Sequence, residues 1–398
     1  MFYQIGEIGI GNIISFILLI IFFFFYSKII VWQMLWRLEE SAKLLRNLTL
    51  KGKKIVIKKI SKKPRKDLKD KINNFLEFFV IEPVSLDPFG IIKKIEHIVM
   101  LQEKRFKYFV KTIAPNLDSE EQANVLMGLS ATMSLNQISK IVRHYVETIR
   151  KTKNLQLAFL LQMYVPTLEK LAKALLSGTE SLTNGWPIGD GIGSLVVAHL
   201  IGNAKVKEIE EDTVVAKRKI FGRDVFLIKA RGPGGRLGRL GKAVEKIVRK
   251  ERISKIITID ASLKLEGEKT GGIAEGIGVA IGGIGIDKSY IENIAVKKNI
   301  PLDSIVIKMS QEEAVQPMKK EIVASIKKVI GLIEDNIRRT KGKIIVVGVG
   351  NSSGIGNDKH KAEEAEKTIK KVLNILKKRE EKKRRGLLSY LKGVFSKF

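Results

Sequence analysis

Cysteine is absent from the 398 residues, so disulfides and thiolate metal sites are both closed to this chain. Histidine is scarce, with four residues (His97, His144, His199 and His360). No H-E-x-x-H pair, Ser-His-Asp arrangement, Walker P-loop or full dinucleotide fingerprint can be found, which removes the most recognisable hydrolase and nucleotide-binding signatures. Acidic residues are in deficit, 42 against 72 Lys and Arg, for a net charge of +30. Charge of either sign is missing altogether from residues 8–27, a run of twenty.

That uncharged run is what the sequence offers first. A helix rises about 1.5 Å per residue, so twenty residues reach across the roughly 30 Å hydrocarbon core of a bilayer. Only Glu7 precedes the run, while residues 37–71 carry fourteen Lys and Arg against four Asp and Glu. Trp32 and Trp36 stand where interfacial anchors belong. The positive-inside rule then predicts a single-pass helix in the cell membrane, its N-terminus outside and the bulk of the chain in the cytoplasm. A signal peptide fits less well, because no basic stretch precedes the run and no small-residue cleavage site follows it. Nine of the residues 51–66 are basic and none is acidic, which suits anionic lipid headgroups. Nucleic acid is the rival partner for such a run and the less favoured one. The abundance of Lys, Glu and Ile resembles thermophile composition.

Periodicity divides the rest. Residues 1–36 read as the anchor and 37–71 as a basic juxtamembrane segment. Residues 72–177 show 3.6-residue spacing throughout and read as an all-α module of about five helices. Glycine then becomes frequent and β-rich runs alternate with helical ones. Residues 178–357 therefore read as an α/β domain with a Rossmann-like, mostly parallel sheet and flanking helices. The runs IITID, IVIKM and IIVVGVG are apolar on both faces, as buried parallel strands require. A long helix is expected over 317–340. Residues 358–398 read as a charged helix ending, after a hinge at Gly386, in a basic amphipathic helix lying in the headgroup plane.

Four glycine-dense loops fall where ligands bind in open sheets, beyond the carboxyl ends of strands. In NGWPIGDGIG, Asp190 is the charged side chain; read structurally, it is an N-cap. In GPGGRLGRLGK, the N–H groups of Gly232, Gly234, Gly235 and Gly238, with Arg236, Arg239 and Lys242, suit a phosphate or another anion. In DASLKLEGEKTGG, Asp260 ends a buried strand, with Glu266, Glu268 and Glu275 in reach. Asp190 and Asp260 together would make a two-carboxylate site able to hold a divalent metal ion or share a proton. In GVGNSSGIGN, Gly350 and Asn351 follow a strand. His199 falls on an apolar helix and reads as a packed residue.

From the anchor through GDGIG, ARGPGG, IDASLKLEGEKTG and VGVGN, the chain resembles an uncharacterised archaeal membrane-protein family, a domain of unknown function, which brings no activity with it. PIGDGIGSLVVAHL and IITIDASLKLEGEKTGGI also resemble the signature loops of the germination-protease and hydrogenase-maturation-protease superfamily. That resemblance implies acids presented at the end of a parallel sheet, metal-binding in the maturation proteases. Carried over by position, they are Asp190 and Asp260. There, a strand ending Gly-x-Gly-Asn runs straight into the first loop; here that strand lies near the C-terminus, so a circularly permuted arrangement is expected to bring VGVGN beside GDGIG. The functional expectation is a membrane-anchored hydrolase, peptidase-like and metal-dependent. The alternatives are a non-catalytic module binding a nucleotide or phosphorylated ligand, and a membrane assembly scaffold with a protein partner.

Overall fold

The computed structural model describes residues 10–80, 90–283 and 285–395. The chain forms two compact units, one of residues 1–51 and 134–173, the other of residues 52–133 and 174–398.

The first unit is helical. Helix α1 (Ile10–Ile60) supplies a seam of Val31, Met34, Leu38, Leu45 and Leu48, spaced by threes, fours and sevens and buried. Residues of α4 (Ser119–Thr152) and α5 (Leu155–Thr183) supply Leu135, Val142, Val146, Ile149, Ala158 and Leu161. Such spacing puts every seam residue on one helix face. Glu39 accepts from both Arg143 and Arg150 at 2.7 Å. Thr49 Oγ1 lies 3.1 Å from the Leu45 carbonyl and 3.2 Å from that of Leu135.

Among the described residues, no helix is long and apolar enough to cross a membrane. The span expected at 8–27 falls partly outside them: Ile8 and Gly9 are not described, nor are the side chains of Ile10, Asn12, Ile13, Phe23, Phe24, Phe25 and Ser27. Within the described part of the run, Ile14 and every residue from Phe16 to Phe22 are exposed apolar side chains.

In the second unit, α2 (Lys66–Phe75), α3 (Ile91–Ile113) and the start of α4 close on Val56, Ile72, Phe75, Phe106, Val110 and Leu129. The remainder is a seven-stranded sheet. Its strands are β1 (Val206–Glu210), β2 (Thr213–Ile220), β3 (Arg223–Ala230), β4 (Ile253–Leu263), β5 (Ile273–Ile277), β6 (Leu302–Met309) and β7 (Lys343–Gly348). Their order is β1-β2-β3-β7-β4-β6-β5. The inner four, β3, β7, β4 and β6, run parallel, and β1, β2 and β5 are antiparallel additions. The sheet is therefore mixed rather than mostly parallel. The β2–β3 hairpin, read from its sequence, turns at Phe221-Gly222, both at positive φ, as a two-residue hairpin demands.

The inner strands are apolar on both faces because helices cover both. One face packs against α6 (Ile192–Ile201), α11 (Ile326–Arg339) and α12 (Lys359–Phe395), the other against α7 (Leu240–Lys250) and α8 (Ile286–Lys298). The long helix expected over 317–340 is instead two, α10 (Lys320–Ala324) and α11, interrupted at Ser325 and preceded by the short α9 (Gln311–Val315). The hydroxyl of Ser325 bonds to the Ile322 carbonyl at 2.7 Å, competing with the helical ladder. No hinge forms at Gly386: α12 runs through it to Phe395. The amphipathic face expected over 386–398 lies outside the described side chains.

Candidate functional site

Because β4 and β7 are parallel neighbours, paired Ile257↔Val346 and Ile259↔Gly348, their carboxyl ends open on the same edge. Asp260 lies near the carboxyl end of β4, which runs on to Leu263 beside β6, and Val349-Gly350-Asn351 follow directly on β7. Between them sits the 3-10 turn Gly189–Gly191, which carries Asp190 into the start of α6. The turn can approach so closely because the contact points lack side chains. A Cβ on Gly193 would lie 2.3 Å from the Ile259 carbonyl and 2.4 Å from that of Val349. A Cβ on Gly350, at φ 105°, would fall 1.8 Å from the Asp190 carbonyl. The glycine pattern of GDGIG and VGVGN thus serves backbone-to-backbone packing.

Asp190 is not an N-cap. Its Oδ2 accepts the Asn351 N–H at 3.0 Å, across 161 residues of sequence. Asp260, 6% exposed, accepts the Ala261 N–H on Oδ1 at 2.7 Å and the Gly282 N–H on Oδ2 at 3.1 Å. Burial, followed by the charge of Asp190, pushes the Asp260 carboxyl up to about 7, with its two N–H bonds opposing the rise. Burial likewise raises Asp190 against the pull of the Asn351 N–H. Among the described residues, no cation offsets either shift. Both carboxylates are therefore harder to ionise than free ones, and Asp260 also feels the charge of Asp190. Ser194 Oγ fixes the same edge by bonding the Gly350 carbonyl at 3.0 Å. One residue beyond Asn351 comes Ser352. After it, Ser353 gives its N–H to the Asn351 side chain at 2.8 Å and keeps a buried hydroxyl without a partner.

As a metal centre the pair is poorly equipped. Among the described residues, no group of three or more His, Cys, Asp or Glu could hold a metal ion. Three of the four carboxylate oxygens already accept backbone N–H groups.

The loop 232–242 lies against α3 and the start of α4, and its cations are neutralised by the protein itself. Arg236 bonds Glu120 at 2.5 Å and Asp212 at 3.0 Å, Lys242 bonds Glu96 at 2.6 Å, and Arg239 bonds Glu103. Its N–H groups are engaged too. Gly232 gives to Asn357 at 2.9 Å, Gly234 to Glu120 at 2.6 Å and Gly235 to the Asn124 side chain at 2.9 Å. Gly238, at φ 74°, makes the turn before the Arg239 N–H reaches Thr213 Oγ1. Ser352 joins this loop to the carboxylate edge, its hydroxyl 2.8 Å from the carbonyls of both Arg231 and Gly234.

Of the acids after Asp260, Glu268 pairs with Lys308, Glu275 meets Asn336 at 3.3 Å and Glu266 is exposed. His199 bonds Glu366 at 2.8 Å and borders a cavity of about 550 Å³ with Arg218 and Lys359. A second cavity, about 590 Å³, lies between α3, α4 and the glycine loop. The lining of neither includes Asp190 or Asp260.

Two polar residues escaped the reading of the sequence. Lys229 is fully buried near the end of β3, with Nζ 2.7 Å from the Ala230 carbonyl and 3.1 Å from Asn357 Oδ1; burial brings its pKa down to about 7 against the pull of Asp358. A lysine inside the apolar run VFLIKA was the available signal. Glu313, 6% exposed, ties Thr270 at 2.9 Å and Lys319 at 2.8 Å to the capping box it makes with Ser310. Ser310-x-x-Glu313 is legible as that motif.

Comparison with known families gives two adjoining matches. The N-terminal domain of a protein of unknown function (DUF1512) matches residues 12–185, and the DUF1512 C-terminal domain of unknown function matches residues 188–356. The two meet just before the GDGIG turn. Among curated proteins none matches.

Proposed function

We propose, for a chain that belongs to the DUF1512 family of unknown function, a membrane-tethered hydrolase facing the cytoplasm, with Asp190 and Asp260 as its working acids. The observation carrying this reading is that two carboxylates, Asp260 near the carboxyl end of β4 and Asp190 on the turn that packs beside it, are both raised by burial, with no cation offsetting either among the described residues. A pair holding one proton can do both halves of a hydrolysis. The ionised member draws a proton from water as it attacks a carbonyl, and the protonated member donates to the departing group. The Ser353 hydroxyl, buried and unpartnered on the neighbouring loop, is a ready substrate contact. Substrate reaches the pair by displacing the segment around Gly282, whose N–H bonds Asp260. The resemblance of the two acid-bearing loops to the germination and hydrogenase-maturation proteases makes a peptide bond the preferred substrate class.

The phosphate-binding alternative draws less support, since Arg236, Arg239 and Lys242 each face a carboxylate of the protein's own. The tether rests on the uncharged run 8–27, the exposed apolar residues within it and the basic stretch that follows.

The test is turnover of a quenched fluorescent peptide mixture by the full-length protein. Asp190→Asn and Asp260→Asn are each expected to lower kcat/KM by about 10²–10⁴-fold. The pH profile should bend near 7, and EDTA should leave the rate unchanged. Turnover unaffected by both substitutions together would remove the hydrolase reading. Release of the full-length protein from membranes by carbonate alone would remove the tether.

A further inference from the structure

The cavity of about 590 Å³ beside the glycine loop combines apolar and charged residues in one lining. Its volume falls inside the roughly 300–1,000 Å³ range of small-molecule sites. One side is apolar: Phe106 and Val110 from α3, Leu126 and Met127 from α4, with Leu237 of the loop above them. Phe106 and Val110 are buried, whereas Leu237 is 56% and Tyr108 is 74% exposed, so the apolar lining continues out to the mouth.

The rest of the lining is charged, and most of its cations are paired with the protein's own carboxylates. Lys107, Lys111, Arg231, Arg236 and Arg239 line it, against the carboxylates Glu103, Glu211 and Asp212. Three of these cations converge on Asp212 alone: Lys107 at 2.7 Å, Arg236 at 3.0 Å and Arg231 at 3.3 Å. Glu120, behind the wall, takes up part of the Arg236 charge. Arg231 is left with the weakest pairing of the three, and its Nε is buried without any hydrogen-bond partner. An unsatisfied buried guanidinium donor is costly and is relieved by an added acceptor, above all an anionic one.

We propose that this cavity binds a single-chain anionic amphiphile. Its carboxylate or phosphate head pairs with the part-exposed guanidinium of Arg231, which turns its buried Nε outward to meet it, and its hydrocarbon chain lies along Phe106, Val110, Leu126, Met127 and Leu237. An apolar wall alone would accept any oily molecule. The Arg231 donor alone would prefer a soluble anion. The two together select a molecule that has both parts. The site is separate from Asp190 and Asp260, and its failure would leave the hydrolase reading untouched.

The experiment is fluorescence titration of the full-length protein with cis-parinaric acid, displaced by oleate, oleyl phosphate or oleyl alcohol. The membrane segment is held in an amphipol, so that no small detergent competes. Saturable binding is expected, with the alcohol at least tenfold weaker than the tighter of the two anions. Stronger displacement by oleate assigns a carboxylate head; stronger displacement by oleyl phosphate assigns a phosphate. Arg231→Gln should weaken the anions at least tenfold and leave the alcohol nearly unchanged, and Met127→Trp should block all three by filling the cavity. Leu237→Asp lies at the exposed mouth, where it leaves the core intact, and should weaken binding even if the buried variants misfold. The proposal fails if binding is not saturable. It also fails if the alcohol matches the anions, or if Leu237→Asp and Arg231→Gln both bind like the parent.

Discussion

Asp260 gives the residue scale its sharpest expectation. An aspartate in an unfolded chain titrates near 3.9, whereas here burial and Asp190 push the group up to about 7. The folded state therefore holds a proton that the unfolded state releases between roughly pH 4 and 7, and stability falls as pH rises through that window. Asp260→Asn should remove its own share of this slope, so that the urea midpoint falls less between pH 4 and 7 than in the parent; a slope unchanged from the parent would mean that Asp260 is not a group responsible. Both acids could be picked from the sequence, because an aspartate after an apolar run and an aspartate between glycines are local patterns, although β4 runs three residues past Asp260. What the sequence withheld was their surroundings. Asp190 is bonded by a residue 161 positions away and Gly234 by one 114 away, and no spacing rule spans such distances. The same blindness explains the loop 232–242. Its arginines read as a waiting anion site, since their carboxylates, Glu103 and Glu120, lie in a different element more than a hundred residues upstream.

At the scale of elements, the period of the apolar residues carried most of the information. The inner strands announced themselves by being apolar on both faces, and the β2–β3 hairpin by its flanking patterns. β1 and β5 were missed. Both are edge strands, with β1 largely solvent-facing and Ile277 of β5 96% exposed, so neither shows a buried stripe. The break at Ser325 was missed because Ile322, Ile326, Val329 and Ile333 keep a single apolar face across it. A close backbone contact joins α6 to β4 and the end of β7, and it rests on Gly193. Gly193→Ala would press a methyl group against two backbone carbonyls that cannot swing aside. A loss of about 3 kcal/mol is expected, read as a lower urea midpoint at unchanged slope. A cost below about 0.5 kcal/mol, the level of an ordinary surface substitution, would mean that the helix can slide away from the strands.

For the whole molecule, the order of strands matters more than their number. β7, the last strand in sequence, lies between β3 and β4 and pairs with both. Its residues Ile344, Ile345, Val346 and Val347 are fully buried and divide between the two sheet faces. Removing residues 343–398 would therefore take the centre from the sheet, together with the α12 residues Ala362, Ala365 and Ile369 that cover it. The shortened chain is expected to be insoluble, or to bind a dye specific for exposed apolar surface when held in solution. A monomeric, dye-silent product would show that β3 and β4 can pair directly. This order could not be read from the sequence, since alternating strands and helices fix a layered α/β class and leave many strand permutations open.

The central position of β7 also governs how the molecule comes off the ribosome. Synthesis runs from the N-terminus, so β1, β2 and β3 are free to assemble as one sheet fragment, and β4, β5 and β6 as another, before β7 has emerged. Until it does, the facing edges of β3 and β4 present unpaired N–H and carbonyl groups flanked by apolar side chains, the arrangement that recruits strands from other chains. The Asp190–Asp260 edge is likewise incomplete through this interval, because Asn351 is among the later residues to appear. A nascent chain of this protein thus has neither a closed sheet nor an assembled carboxylate edge until Asn351 has been translated.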